Sequence, residues 1–266
     1  MSGGNGWRRF SVAVLSLVPW IVLAPLLIAE ESTGSSDAQV VDTWAGTNSA
    51  IDPGAGNAFQ LAAASWTVPK VSCPPGSNSD VSDWAGSGDG TKSNPLFQAG
   101  SESGCSSGIA KYRAWWEEFP VNHQQDFVDE VHPGDVMDSL IRWGPSTRGS
   151  NGTSTLELED FSPTGAKNWV EYQNVSSAPP SDQAECIIER PLTSGSHEPL
   201  ADFGTTRFKD CKVGWEEDHE FRGYVYLTPN TAARGLEVFN LEMAGLLNLS
   251  DFTPTGGFTG TWTKGS

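Results

Sequence analysis

The sequence has few basic residues. It contains 16 Lys and Arg against 33 Asp and Glu, which gives a formal net charge of −17. Proteins bind nucleic acids and anionic membranes largely through Lys and Arg. The composition therefore argues against a nucleic-acid partner and against a membrane surface. It is compatible with work at low pH, where protonation of carboxylates reduces the repulsion between them.

The sequence also lacks the short motifs of several hydrolase classes. It has no His-Glu-x-x-His and no Asp-Thr-Gly or Asp-Ser-Gly. The four histidines are scattered along the chain. We therefore expect neither a metal site nor a cofactor.

One long apolar segment stands near the start of the chain. Arg8 and Arg9 precede Phe10 to Ala29, which is uncharged and mostly apolar. This is the pattern of a signal peptide, although the segment is also long enough to span a bilayer. Pro19 and Pro25 are unfavourable in a stable helix, which favours the cleaved signal peptide. We expect an exported protein that is either secreted or anchored to the membrane by residues 10–29.

The rest of the chain predicts one all-β domain. Residues 30–43 form a polar linker or a short pro-segment, and residues 44–266 have the size of one large domain. Only Gly235 to Leu247 resembles a helix, and Glu237 to Leu241 within it alternates better as a strand. Other predicted strands are Phe59 to Val68, Tyr112 to Phe119, Val136 to Trp143, Ser154 to Leu158, Asn168 to Tyr172 and Gly223 to Leu227. The pattern predicts a sandwich of antiparallel sheets.

A strand with two carboxylates carries the strongest functional signal. The segment from Ala184 to Pro191 reads Ala-Glu-Cys-Ile-Ile-Glu-Arg-Pro, and alternation places Glu185, Ile187 and Glu189 on one face. A carboxylate inside a strand is costly unless it is paired or used. The segment resembles the Ala-Glu-aromatic-Ile-(Ile/Val)-Glu motif of the eqolisins, or glutamic endopeptidases. The second Glu of that motif is the catalytic base, and its position here is Glu189.

Further segments resemble the same family in the same order along the chain. They are Trp44-Ala45-Gly46, Ala64 to Pro69, Trp84-Ala85-Gly86, Leu96-Phe97-Gln98-Ala99-Gly100, Lys111 to Pro120, Pro199 to Gly204 and Phe208 to Cys211. The resemblance runs from about Trp44 to Trp262. It implies two large curved sheets in a lectin-like (concanavalin-like) jelly roll, with a substrate groove on a concave face. It also implies an acid-active endopeptidase that hydrolyses polypeptide substrates, and we expect a monomer.

The resemblance assigns roles to individual residues. Glu189 takes a proton from water and later gives it to the leaving amine, while Gln98 holds the oxyanion and positions the water. The candidates for substrate binding either match a groove tryptophan of the family or share one face of the strand after Gln98. They are Trp44, Arg113, Trp115, Glu117 and Phe119.

Two positions depart from the family pattern. Arg113 stands where the family often has Asp, and Gly88 aligns where another Asp would be. If Arg113 faces the groove, its charge should lower the pKa of Glu189. If it pairs with a surface carboxylate instead, screening leaves little effect.

Four cysteines in an exported chain predict two disulfides, for which three pairings are open. We favour Cys73–Cys105 and Cys186–Cys211. The second choice comes partly from the resemblance, because Cys186 stands where the family commonly has an aromatic residue. It also lies on the strand face opposite Glu189.

Two other function classes compete with the peptidase. A non-catalytic carbohydrate- or surface-binding sandwich would suit the 11 tryptophans. A glycosidase would need paired carboxyls roughly 5–9.5 Å apart. Glu185 and Glu189 are separated by four strand residues, or about 13 Å of backbone, so that pair is too far apart.

Overall fold

The computed structural model describes residues 39–40, 42–51, 60–142, 154–161, 169–175, 183–193, 195–217, 220–228, 236–243 and 245–263. These residues form β-strands and no α-helix, so the part of the chain described here contains no helix able to cross a membrane. The leader at residues 1–29 and most of the linker at 30–43 lie outside the described residues. Their assignments stay predictions.

The strands are numbered along the chain, and most of them are short segments that contain β-branched, aromatic or small residues. They are β1 Gln39–Val40, β2 Trp44–Ile51, β3 Leu61–Thr67, β4 Ser79–Ser87, β5 Leu96–Ser106, β6 Ile109–Phe119, β7 Asn122–Asp126, β8 Val136–Arg142, β9 Ser154–Phe161, β10 Trp169–Val175, β11 Gln183–Glu189, β12 Leu192–Thr193, β13 Ser196–His197, β14 Thr205–Glu217, β15 Glu220–Tyr226, β16 Leu236–Glu242, β17 Leu247–Leu249 and β18 Phe258–Trp262.

Two eight-stranded sheets make up the sandwich. The first has the order β1-β16-β2-β11-β4-β5-β6-β7. The second has the order β10-β9-β8-β3-β14-β18-β17, with β15 paired to β14. The strand pairs on either side of β11, with β2 and with β4, are antiparallel, whereas β1 runs parallel to β16. The predicted all-β sandwich of two large antiparallel sheets is confirmed.

The core between the sheets combines small and large side chains. On the first sheet the inward side chains are mostly small, as at Ala45, Ala85 and Ala99. The second sheet supplies large ones, including Trp66 and Phe208, whose rings stack with centroids 5.5 Å apart. Small residues facing large ones allow two sheets to interdigitate at the density of a protein interior.

Both predicted disulfides are confirmed. Cys73 is bonded to Cys105, which anchors the segment before β4 to strand β5. Cys186 of β11 is bonded to Cys211 of β14 and so joins the two sheets covalently. The segment that resembled a helix contains strand β16, as the alternation of its side chains predicted.

Candidate active site

The predicted site residues lie on one face of the first sheet. This face points away from the second sheet, and we call it the outer face. Register pairs across β2, β11, β4, β5 and β6 divide it into three rows. The first row holds Trp44, Glu189, Ser82, Glu102 and Arg113; the second holds Gly46, Ile187, Trp84, Gly100 and Trp115; the third holds Asn48, Glu185, Gly86, Gln98 and Glu117.

A small apolar cluster forms the floor of the outer face. Trp84, Trp115 and Ile187 are buried there, although they face away from the main core. Gly100 lies between the two tryptophans in the second row. A Cβ atom at Gly100 would come within 2.6 Å of Trp84 Cβ, so a larger residue would displace the indole. The glycine therefore lets two indoles lie side by side beneath the polar residues.

Glu189 is half-buried in the first row, at the end of β11. Its Oε2 accepts a hydrogen bond of 2.7 Å from Nε1 of Trp84. Burial raises the pKa of Glu189 to about 7, and the charges of Glu117 and Glu102 also raise it. Hydrogen bonds from Trp44 and Trp84 oppose that rise, because they stabilise the carboxylate.

Gln98 occupies the third row with its side chain 5 % exposed. Its Nε2 donates a hydrogen bond of 2.7 Å to Oε2 of Glu117. Burial raises the pKa of Glu117, which the bond from Gln98 partly offsets. The amide oxygen of Gln98 has no hydrogen-bond partner among the described residues. Gln98 therefore keeps one N–H and its carbonyl oxygen for a water or a substrate.

Glu189 and Gln98 are offset along the sheet. Glu189 is opposite Ser82 on β4 and Gln98 is opposite Gly86, so their Cα atoms would be about 16 Å apart in a flat sheet. The bond to Trp84 draws the Glu189 carboxyl toward the row of Gln98. Gly86 lies in the row of Gln98 and has no side chain, whereas Trp84 occupies the row between the two groups. Glu189 and Gln98 therefore lie on opposite sides of β4 and on the same face of the sheet.

Arg113 is engaged by two carboxylates. Its guanidinium forms two hydrogen bonds with Glu102, of 2.9 and 2.7 Å, and one of 2.7 Å with Asp126. Arg113 is not among the groups that shift the pKa of Glu189, which is raised rather than lowered. The pairing of Arg113 with acidic neighbours is observed, although one of them, Glu102, lies in the same row of the outer face as Glu189. The effect of Arg113 on the pH dependence stays a prediction.

The remaining candidates lie at different depths. Trp44 is half-buried beside Trp84, with ring centroids 5.2 Å apart. Trp115 is buried in the floor, and its Nε1 has no partner among the described residues. Phe119 follows Glu117 on β6, pairs with Leu96 and is exposed. The outer face therefore offers polar groups near its centre and an exposed aromatic ring toward one end.

Sequence reasoning missed the role of Trp84. The motif Trp84-Ala85-Gly86 was recognised without a function for its indole, which the structure places against Glu189. The signal was the spacing, since Trp84 and Gly86 alternate onto the same face. No group of three or more His, Cys, Asp or Glu side chains in the described ranges is arranged to hold a metal ion.

Comparison with known proteins identifies the family. Residues 42–233 match the model of the peptidase A4 family. The fold resembles scytalido-glutamic peptidase, solved with a transition state analog inhibitor, with a TM-score of 0.56 at 19 % identity over 84 % of this chain and 98 % of that one. It resembles SCP-B, an eqolisin solved with the tripeptide Ala-Ile-His, with a TM-score of 0.53 at 19 % identity over 84 % and 98 %.

A third similar structure is aspergilloglutamic peptidase from Aspergillus niger, with a TM-score of 0.47 at 22 % identity over 70 % of this chain and 99 % of that one. No curated protein matches the chain significantly. At such identities the solved structures show the shared fold, whereas the family match extends over most of the sequence. The chain belongs to the peptidase A4 family, the eqolisins or glutamic endopeptidases.

Proposed function

We propose that this protein is an exported, acid-active endopeptidase that uses Glu189 as general base and Gln98 as oxyanion donor. One observation carries the proposal: the carboxyl of Glu189 is held by Trp84 on the same face of the sheet that presents the amide of Gln98. A carboxylate and a primary amide supply the groups that amide hydrolysis by water needs.

The reaction follows from these two groups. The ionised Glu189 takes a proton from a water, whose oxygen attacks the peptide carbonyl carbon. The carbonyl oxygen becomes an oxyanion and accepts a hydrogen bond from the free N–H of Gln98. The other N–H of Gln98 donates to Glu117. Glu189 then returns its proton to the amide nitrogen as the C–N bond breaks, which releases an amine and a carboxylic acid.

Two buried polar atoms without a partner in the described part of the chain support the proposal that a substrate binds to the outer face. The carbonyl oxygen of Gln98 and the indole N–H of Trp115 have no partner among the described residues. Buried polar groups are almost always hydrogen-bonded, so atoms of this kind indicate a water or a ligand. In the proposal, Gln98 orients the attacking water, and Trp115 donates to the peptide backbone of the substrate. Trp44, Glu117 and Phe119 line the same surface.

Acid activity places a condition on Glu189. The base works only when ionised, and a pKa of about 7 in the free enzyme leaves roughly 1 % ionised at pH 5. Activity in acid therefore requires a lower pKa in the working enzyme. The negative charge of Glu117 is one of the contributions that raise this pKa, so neutralising Glu117 would lower the pKa of Glu189.

Export is proposed from the apolar leader and from the cysteines. Disulfides persist in oxidising compartments and are rare in the cytosol of mesophiles. Among the described residues all cysteines are paired, as Cys73–Cys105 and Cys186–Cys211. Both bonds agree with a protein that works outside the cytoplasm.

The test is digestion of a denatured protein substrate between pH 2 and pH 7 by the wild type and by Glu189→Gln. We expect peptides from the wild type and none above background from the variant. A carbohydrate- or surface-binding protein would give no cleavage with either chain. A folded Glu189→Gln variant that cleaves as fast as the wild type would remove Glu189 from the mechanism.

A further inference from the structure

A carboxyl group is buried between the two sheets. Asp83 lies on β4 with its side chain on the inner face, next to Trp84, and is 1 % exposed. Its register partners are Ile188 on β11 and Ser101 on β5. Thr206 of β14 lies against it from the second sheet. None of these three neighbours carries a charge that could compensate a negative charge on Asp83.

The hydrogen bonds at this position fit a protonated acid. The hydroxyl oxygen of Thr206 lies 3.1 Å from Oδ2 of Asp83 and 3.3 Å from the carbonyl oxygen of Thr67. A hydroxyl has one proton, and a carbonyl oxygen can only accept. If Thr206 donates to Thr67, Asp83 must carry the proton that completes the contact with Thr206. The second carboxyl oxygen of Asp83 has no partner among the described residues, as suits a neutral acid.

We propose that the sandwich depends on a proton held by Asp83, so that the fold is stable in acid and loses stability as the pH rises. With its proton, Asp83 makes a neutral hydrogen bond from the first sheet to the second. Without it, a charge is left in the core with one hydroxyl as partner, which is costly. This inference concerns stability and does not rest on the proposed reaction.

The raised pKa of Asp83 agrees with this geometry. Burial raises the pKa of Asp83 from 3.8 to about 8, and Thr206 lowers it only in part. No ionisable side chain in the described part of the chain contributes to the shift. Because the folded pKa is above the unfolded value, the stabilising contribution is fully present below about pH 4. It is lost as the pH rises from about 4 to about 8.

A second buried contact is expected to change the stability with pH in the same direction. Asp135 and Asp160 are both buried, and their carboxyls are hydrogen-bonded to each other. Two carboxyls can make this contact only if they share a proton. Burial and the charge of Asp135 raise the pKa of Asp160 to about 6, whereas His132, whose Nδ1 lies 3.5 Å from Asp135, lowers it. Glu130 lies on the far side of His132, at 3.8 Å.

The position of Asp83 connects stability to the site. Asp83 precedes Trp84, which binds Glu189, and its partner Ile188 precedes Glu189 itself. A charge on Asp83 acts on the two strands that hold these groups. We therefore expect the central strands of the first sheet to be the first to loosen at alkaline pH.

The experiment measures urea unfolding from pH 4 to pH 9 for the wild type, Asp83→Asn and Asp251→Asn. Asparagine keeps the shape of the protonated acid and can donate to Thr206, but it cannot ionise. The exposed Asp251 serves as the matched control. Between pH 5 and pH 7, the unfolding constant of the wild type should rise about tenfold more per pH unit than that of Asp83→Asn. Asp251→Asn should parallel the wild type.

Parallel curves for Asp83→Asn and the wild type would overturn the proposal. If Asp83→Asn does not fold, the carbon-13 shift of the Asp83 carboxyl in the wild type, assigned through the backbone, gives a second test. We expect no titration of this signal between pH 3 and pH 6, the range in which an unperturbed aspartate side chain titrates. A step near pH 4 at Asp83 would overturn the proposal as well.

Discussion

Trp84 donates its indole N–H to Glu189 over 2.7 Å, from β4 to the neighbouring strand β11. An indole nitrogen can only donate, and a hydrogen bond to an ionised carboxylate is stronger than one to the neutral acid. The bond therefore favours the form of Glu189 that can accept a proton. The pKa of about 7 is the outcome of burial, which raises it, and the two indoles, which lower it.

The first prediction concerns the two proposed catalytic residues. Gln98→Ala should lower kcat about 10²–10³-fold, the usual effect of losing one oxyanion donor. Glu189→Gln should lower it at least as much, because general base catalysis contributes about 10²–10⁴. Both groups act in one transition state, so the double variant should be little worse than Glu189→Gln alone. Single-turnover rates on a peptide substrate check this.

The matched control for this pair is Glu157→Gln on the second sheet, which should keep full activity. Circular dichroism and thermal unfolding establish that each variant is folded. Strictly additive losses would show that Gln98 and Glu189 act in separate steps.

Trp84→Phe should move the acid limb of kcat/KM to higher pH. Phenylalanine keeps an aromatic ring in the floor but removes the N–H that stabilises the carboxylate, so the pKa of Glu189 should rise. The measurement is a pH–rate profile of kcat/KM. Trp44→Phe should shift the limb in the same direction, since Trp44 also bonds Glu189. A limb that stays in place in both variants would contradict the assignment of that limb to Glu189.

Glu117→Gln should move the same limb to lower pH. The substitution removes a negative charge that raises the pKa of Glu189, while the amide oxygen of glutamine can still accept the bond from Gln98. The opposite signs expected for Glu117→Gln and Trp84→Phe distinguish an electrostatic effect from general damage to the site. Two shifts in the same direction would exclude this account.

Arg113→Gln should cost stability and leave the acid limb in place. The guanidinium pairs with the exposed Asp126 and with Glu102, whose side chain is 14 % exposed, and an exposed ion pair contributes about 1 kcal/mol or less. We expect a slightly lower free energy of unfolding in urea and a pH–rate profile superimposed on that of the wild type. A limb displaced upward would show that Arg113 acts on Glu189 after all.

Removal of the inter-sheet disulfide in Cys186→Ala/Cys211→Ala should lower the free energy of unfolding by about 2–4 kcal/mol. Urea unfolding of the non-reduced proteins checks the size of the effect. Thiol titration of the denatured, non-reduced wild type should detect no free thiol. Two or more reactive thiols per chain would contradict the observed pairing.

The sequence predicted the strands that carry β-branched and aromatic residues, such as β6, β8 and β11. It also placed Glu185 and Glu189 on one face, because alternation is fixed by the geometry of a strand. Strands β4 and β5 were not predicted as such. Ser, Gly, Ala and Asp dominate them, and these residues have weak strand propensity. They are strands because both of their faces are buried.

The features that the sequence could not predict depend on which strands become neighbours in the folded protein. Arg113 shares a strand face with Glu117, which made an effect on Glu189 conceivable. Its partners, Glu102 and Asp126, come from two other strands, and no local pattern predicts their approach. The rise in the pKa of Glu189 likewise depends on how deeply β11 is covered, which the sequence does not specify.

The bond between Cys186 and Cys211 has a consequence for self-digestion. Together with the chain between these two residues, the bond forms a covalent ring. The ring includes the exposed turn at Leu192 and His197. If the enzyme cuts itself in that turn, the two pieces stay joined. The cut protein would migrate as one band without a reductant and as two bands with it, so a single band under non-reducing conditions does not prove an uncut chain.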